Sequence, residues 1–311
     1  MKRSLTLLDA PSNLGLRPPG DGLVPGCYKA PGVLRDAGLL RRLAAVDAGV
    51  VTAGRYRPEW TPGEVRNEAA IAAHSRELAD RIQALLGLGN FPVVLGGDCS
   101  ILVGIGLALS RTGRFGLVTL DGLDYRHPGN MPDAVGAMGG ESLAAVTGLG
   151  GMLAELDGLR PYVRPSDTVA LGIRPYDECA DEAAANGLHL LDTTTVARDP
   201  DAAARRALDV VERADLDGFW IHLDADVLDP ELMPAVDAPE PGGLTFEQLT
   251  TVLQVLLGSP RATGLDLTIY DPDLDPGLGC GRRLADTLVA VLNPLATAGR
   301  PDDRPRSGSP D

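Results

Sequence analysis

A three-layer α/β/α fold with a mainly parallel sheet is predicted by three features of the 311-residue sequence. Short apolar runs that read as strands alternate with stretches of helical spacing along the whole chain. One run, residues 219–223, leads into three acids within six positions, Asp224, Asp226 and Asp229, before Pro230 stops it. Another, residues 91–95, is followed by Gly96-Gly97-Asp98-Cys99-Ser100 and an apolar helix over 101–109. Strand, glycine turn and helix start in that order leave backbone N–H groups and short side chains facing the C-terminal edge of a parallel sheet, where ligands collect.

Residues 5–8 read as the first strand, ending at Asp9-Ala10-Pro11. Residues 12–31 are rich in Gly and Pro and form a long loop, which in a compact domain tends to be functional. Residues 32–45 read as helix, with Leu34, Leu39 and Leu40 on one side, and 50–51 as a short strand. Ile71, Leu78 and Ile82 mark a long amphipathic helix over 64–86, with His74 expected on its surface. The strand at 114–120 ends at Asp121-Gly122-Leu123-Asp124, and a loop rich in Gly, Pro and Met runs to Gly140 before a helix begins at Ser142.

Residues 167–173 and 189–191 read as further strands, and a helix over 202–214 feeds the strand at 219–223. Thr245 is the expected N-cap of a helix reaching 257, with Glu247 in its first turn. A strand at 264–269 and a helix at 282–292 follow. Residues 1–300 then make one domain, and 301–311 form a polar tail expected to be disordered.

The net charge of −15 disfavours nucleic acid and anionic membranes as partners and suits a small cationic substrate. No apolar run is long enough to cross a bilayer. Met1-Lys2-Arg3 is basic, but 4–8 is too short for a secretory apolar region and Asp9 interrupts it, so a cytoplasmic location is expected. Cys27, Cys99, Cys179 and Cys280 lie too far apart for a structural zinc site or a disulfide scaffold and are expected to be reduced. Gly104-Ile105-Gly106 is no dinucleotide loop, because Leu109 stands where the third glycine belongs.

On an extended strand Asp224 and Asp226 point to the same side, and two carboxylates at a sheet edge suit a divalent cation. Acids after a strand also serve as turn-formers or helix caps, which is the competing reading of this pair. An EF-hand loop is excluded, since Leu228 and Asp229 replace its third oxygen ligand and its glycine.

Four segments together resemble the ureohydrolases, the family of arginase, agmatinase and formimidoylglutamase. They are residues 96–100, the strand ending in Asp121, Asp224-Ala225-Asp226-Val227-Leu228-Asp229-Pro230 with 239–244, and Gly264-Leu265-Asp266. The similarity in order and spacing runs from Asp9 to the last helix. It implies an arginase-like domain with two manganese ions at the sheet edge, whose bridging hydroxide attacks a guanidinium or related C=N carbon. It also implies a homo-oligomer, trimeric or hexameric. Asp121, Asp224 and Asp226 match three of the family's carboxylate ligands.

Other positions depart from the pattern. Cys99 stands where the family has a histidine ligand, and Leu123 where it has another. Asp124 matches the second acid of that motif if one residue is deleted, and His127 lies close by. The family's proton-relaying loop histidine aligns near Met138 or Gly139, and its guanidinium-steadying glutamate aligns with Ile269, leaving Glu141 or Asp271 as stand-ins. The expected metal set is therefore Cys99, Asp121, Asp124, Asp224 and Asp226, giving one well-supplied position and one weak one. Glu141 and His127 are the catalytic candidates.

The expected function is metal-dependent hydrolysis of a C–N bond in a guanidino or amidino compound. The alternative is the same fold without hydrolysis, as a pseudoenzyme or regulatory subunit, or with metal-free chemistry. Arg126, Arg174 or a bound cation would then have to compensate the clustered acids. A small-molecule binding protein and a nucleophilic Cys99 are the lesser readings.

Overall fold

A computed structural model describes residues 4–131 and 136–297 of the chain. Eight strands form one sheet: β1 (Leu5–Ala10), β2 (Val46–Val50), β3 (Phe91–Gly96), β4 (Phe115–Leu120), β5 (Thr168–Ile173), β6 (His189–Asp192), β7 (Gly218–Asp224) and β8 (Ala262–Thr268). The order across the sheet is β2-β1-β3-β8-β7-β4-β5-β6, and every pairing is parallel. The expected α/β/α layering is the one found.

Among the described residues, ten α-helices flank the sheet. They are α1 (Ala30–Asp36), α2 (Leu39–Arg42), α3 (Glu68–Gly87), α4 (Ile101–Thr112), α5 (Ser142–Val146), α6 (Ala180–Ala185), α7 (Thr193–Arg198), α8 (Pro200–Val211), α9 (Phe246–Leu257) and α10 (Gly279–Thr297). Alternate residues along each strand feed two cores. Leu7, Val93, Ile221 and Leu223 face the side covered by α8, α9 and α10, while Leu8, Val94 and Trp220 face α3 and α4. The central strands β3, β8, β7 and β4 are wholly buried or nearly so, as continuous apolar runs between two helical layers require.

The expected helix over 32–45 is two helices, because Gly38 takes a left-handed backbone (φ 82°) and breaks it. His74 is buried rather than on the surface, its Nε2 lying 3.0 Å from the carbonyl of Val51. Thr245 caps α9 as expected, in a reciprocal capping box with Gln248. The strand carrying the acids ends at Asp224, and residues Ala225–Val227 turn away in a 3-10 helix. Asp226 therefore does not continue the strand face of Asp224. The tail at 301–311 lies outside the described residues, as do 132–135 of the loop before α5.

The register of β7 against β8 positions the site. Trp220 lies beside Gly264, His222 beside Asp266 and Asp224 beside Thr268. Gly264 makes room for the fully buried Trp220 ring, which any Cβ at that position would overlap. Trp220 Nε1 in turn donates to Asp266 Oδ1 at 2.7 Å. Gly264→Ala is expected to destabilise the protein by about 1–3 kcal/mol, the usual cost of overpacking. Urea unfolding followed by tryptophan fluorescence checks this, and an unchanged midpoint would contradict it.

Candidate metal centre

The strand order leaves a break in connectivity: β3 and β4 are consecutive in sequence but separated in space by β8 and β7. Chain ends diverging at such a point open a crevice at the C-terminal edge. A cavity of about 280 Å³ lies there, lined by eight acids and three arginines together with Cys99, Leu123 and Ile269. Cys99 comes from the turn after β3, Asp121 from the end of β4 and Asp224 from the end of β7.

Cys99, Asp121, His222 and Asp224 each bring one donor atom within 4.8 Å of all the others, and all four side chains are buried. Cys99 Sγ lies 2.7 Å from Asp224 Oδ2, to which its thiol donates, and 3.2 Å from Thr268 Oγ1. Asp224 Oδ1 accepts the backbone N–H of Asp226 at 2.8 Å, so this acid also caps the 3-10 turn. Asp224 thus forms the turn through one oxygen and meets Cys99 in the cluster through the other.

His222 was not among the sequence candidates. Its Nδ1 lies 2.6 Å from Asp266 Oδ2, and its Nε2 lies 3.7 Å from Asp121 Oδ2 with no hydrogen-bond partner. A histidine inside an apolar strand ordinarily reads as core. The available signal was its even spacing from Asp224 along an extended strand, which puts both side chains on one face.

Asp124 and Asp226 line the cavity beside the four-residue group but are not part of it. Asp124 Oδ2 accepts from Ser142 Oγ at 3.1 Å, and Asp226 Oδ1 is buried with no partner. Glu141 also lines the cavity, with Oε1 accepting the backbone N–H of Gly136 at 2.6 Å.

His127 is not among the lining residues. Its Nε2 meets Glu182 at 3.0 Å and its Nδ1 accepts from Gly129 N–H at 3.0 Å, so the loop holds both ring nitrogens elsewhere. Asp271 is also committed away from the cavity, accepting from the backbones of Gly26 and Asp273. Ile269 does face the cavity, in a left-handed backbone (φ 70°) that a β-branched residue rarely adopts.

Burial dominates the electrostatics. It raises Asp121 well above the usual carboxylate range, with Asp124 and Asp226 adding to the effect. Asp224 is raised in the same way, by burial and then by Asp226 and Asp121. Asp124 is pushed up to about 7 by burial and then by Asp226. Burial opposes the charge on His222, but Asp266, Asp224 and Asp124 outweigh it and bring the imidazole up to about 8. Burial, then Asp224, also raises the Cys99 thiol.

No arginine fills the acid cluster among the described residues. Arg174 spends Nη2 on the backbone carbonyls of Asp226 (2.9 Å) and Glu240 (2.8 Å), and Arg126 pairs with Glu178. Of the basic groups near the acids, Arg174 lowers Asp226 from the cavity wall, and His222 lies within the buried cluster itself.

Residues 19–292 match the family model described as the arginase family. An arginase from Agrobacterium fabrum (strain C58 / ATCC 33970) is 29% identical over 288 residues, covering 86% of each chain. A solved arginase structure from Bacillus caldovelox aligns over 93% of this chain and 98% of that one, with a TM-score of 0.84 and 24% identity. The formimidoylglutamase structure from Bacillus subtilis subsp. subtilis str. 168 aligns over 94% of this chain and 87% of that one, with a TM-score of 0.73 and 20% identity. With the sheet order, the acid-lined crevice and a family match over most of its length, the chain belongs to the arginase family.

Proposed function

We propose that the protein hydrolyses a C–N bond of a small guanidino or amidino compound, using water activated by a divalent cation. The observation that carries this reading is the concentration of buried, upward-shifted carboxylates around one cavity at the sheet edge. Buried acids that repel one another are stabilised by a cation in their midst.

The residues fit one cation well. Cys99, Asp121 and Asp224 supply donors from the ends of three strands, β3, β4 and β7, with Asp124 at the cavity wall beside them. A second position of the manganese pair typical of the family would have Asp121, Asp224 and Asp226 but no imidazole, since Leu123 is apolar. When bound, the cation supplies Lewis acidity, lowering the pKa of water and polarising the substrate.

The remaining work falls to the chain. The excess of acids over arginines in the cavity wall draws in a guanidinium and holds it by charge-assisted hydrogen bonds. Burial raises the Glu141 carboxyl above its ordinary value and so favours its protonated form, which makes it the residue suited to protonate the leaving amine. Ile269 gives the cavity an apolar wall where the family's glutamate would stand, so substrate grip here depends on the other acids. Arg174 ties the backbone at Asp226 to that at Glu240 and so fixes two sides of the cavity together. A cytoplasmic homo-oligomer belongs to this reading by family resemblance.

Asp224→Asn is expected to lower kcat/KM by about a hundredfold or more, read as urea or ammonia release from a panel of guanidino compounds with added metal. Wild-type protein that binds metal yet releases nothing from any compound would reject hydrolysis. Glu141→Gln is expected to lower kcat by about a hundredfold with a smaller change in KM, the pattern of a lost general acid. Equal losses in binding and turnover would assign it to positioning instead.

Without metal, stability should fall as pH rises. Asp124 has a folded pKa of about 7 against 3.8 in the open chain, so its contribution is complete below 3.8 and is lost as pH rises through 7. His222, about 8 against 6.5, acts in the same direction. The surface carboxylates with lowered values, Asp47, Asp157, Asp201 and Asp229, are ionised in both states above pH 5 and do not offset this. In chelator, Tm at pH 8 is expected to lie below that at pH 5, and Asp124→Asn to flatten the difference. A Tm that rises over that interval would contradict the assignment.

A further inference from the structure

We infer that Cys99, Asp121, His222 and Asp224 form a four-coordinate site for a single zinc-class cation, with His222 as a ligand and Asp266 as its positioning residue. The inference deepens the functional reading above and rests on it for the presence of a cation, but not for hydrolysis.

The argument starts from where His222 sits. Strand periodicity puts Trp220, His222 and Asp224 on one face of β7, and the pairing with β8 sets Asp266 directly beside His222. Asp266 is fully buried, and its two oxygens have separate tasks. Oδ1 accepts the indole N–H of Trp220 at 2.7 Å, and Oδ2 takes the imidazole at 2.6 Å. A carboxylate gripping Nδ1 selects the tautomer that leaves the Nε2 lone pair free and makes it more basic, the arrangement typical of histidines that bind metal.

That lone pair has a direction and no partner. His222 is fully buried, its Nε2 makes no hydrogen bond, and the nearest acid oxygen, Asp121 Oδ2, stands at 3.7 Å. This is too long for a hydrogen bond. It agrees with the separation of two ligands on one small tetrahedral ion, about 3.3–3.8 Å for bonds of roughly 2.0–2.3 Å. The thiol of Cys99 and the carboxylate of Asp224 complete the group from the opposite side, all four donors lying within 4.8 Å of one another.

The donor set decides the metal. One sulfur, one imidazole nitrogen and two carboxylate oxygens suit a borderline ion of tetrahedral habit. Manganese favours oxygen-rich octahedral sites and stands at the weak end of the divalent affinity order. The oxygen-only remainder, Asp124 and Asp226, has no nitrogen donor because Leu123 is apolar. The bland alternative is that His222 stays protonated as a permanent counter-ion to the acids and never meets a metal.

The test is a cobalt(II) titration of chelator-stripped full-length protein, read by absorption. Expected is saturation at one equivalent, with the intense visible bands of a four-coordinate ion and a near-ultraviolet thiolate-to-cobalt band. Zinc should displace the cobalt stoichiometrically, and a large excess of manganese should not. Cys99→Ser should remove the charge-transfer band while keeping the visible bands. His222→Ala should weaken binding by more than a hundredfold, and Asp266→Asn by roughly ten- to hundredfold. Near-ultraviolet circular dichroism establishes that each variant is folded. If His222→Ala does not fold, the wild-type spectrum and Cys99→Ser decide the matter.

Two manganese ions bound independently of His222, cobalt bound without a thiolate band, or no metal bound at all would each overturn the inference. A tight single zinc with no release from guanidino compounds would leave it standing and remove the hydrolase reading. Hydrolysis supported by two manganese ions would do the reverse.

Discussion

Asp121, Asp124, Asp224 and Asp226 crowd the C-terminal edge of one parallel sheet, where burial and mutual repulsion disfavour ionising all four together. Much of the local structure answers that constraint. Asp224 divides its oxygens between the Cys99 thiol and the N–H of Asp226, and Asp124 takes the Ser142 hydroxyl at the start of α5. His222 brings the one basic side chain of the cluster, fixed from behind by Asp266 and Trp220.

The sheet order makes the crowding possible. Because β8 and β7 insert between β3 and β4, four neighbouring strands bring acids and a thiol to one crevice, with the His222 imidazole and the Thr268 hydroxyl close behind them. Two apolar cores on either face hold those strands in register, so small shifts at the edge are resisted by the packing beneath it. Gly264 is part of the same arrangement, since only a missing side chain there admits the Trp220 ring that steadies Asp266.

Where this chain departs from the ureohydrolase pattern, the changes are local and chemically related. A thiol replaces one imidazole at position 99, an apolar side chain replaces another at 123, and an imidazole stands inside the strand at 222. The site therefore keeps a nitrogen donor but receives it from the sheet instead of the loop after β4. Glu141 remains at the cavity, whereas Glu182 of α6 and the backbone of Gly129 hold His127, and the backbones of Gly26 and Asp273 hold Asp271. Loop residues carry no periodicity that reveals where their side chains point, and so these three could not be separated by spacing.

The sequence by itself determined the layer architecture, seven of the eight strands, the long helices and the acids that meet at the sheet edge; it missed the short helices α6 and α7 and put at 50–51 the strand that lies at Val46–Val50. Apolar runs of strand length, helical periodicity and the Asp-x-Asp-x-x-Asp-Pro element are local patterns, and local patterns survive in a one-dimensional reading. Only the tertiary structure decided which polar residues share the site. His222 reads as core until the β7–β8 register sets Asp266 beside it, and Asp226 reads as a strand residue until the chain turns at Ala225. The buried His74 is likewise settled by the carbonyl of Val51, 23 residues away in sequence. The two histidines each depend on a partner distant along the chain, which only the folded chain brings up, whereas Asp226 is turned by the local hydrogen bond to Asp224.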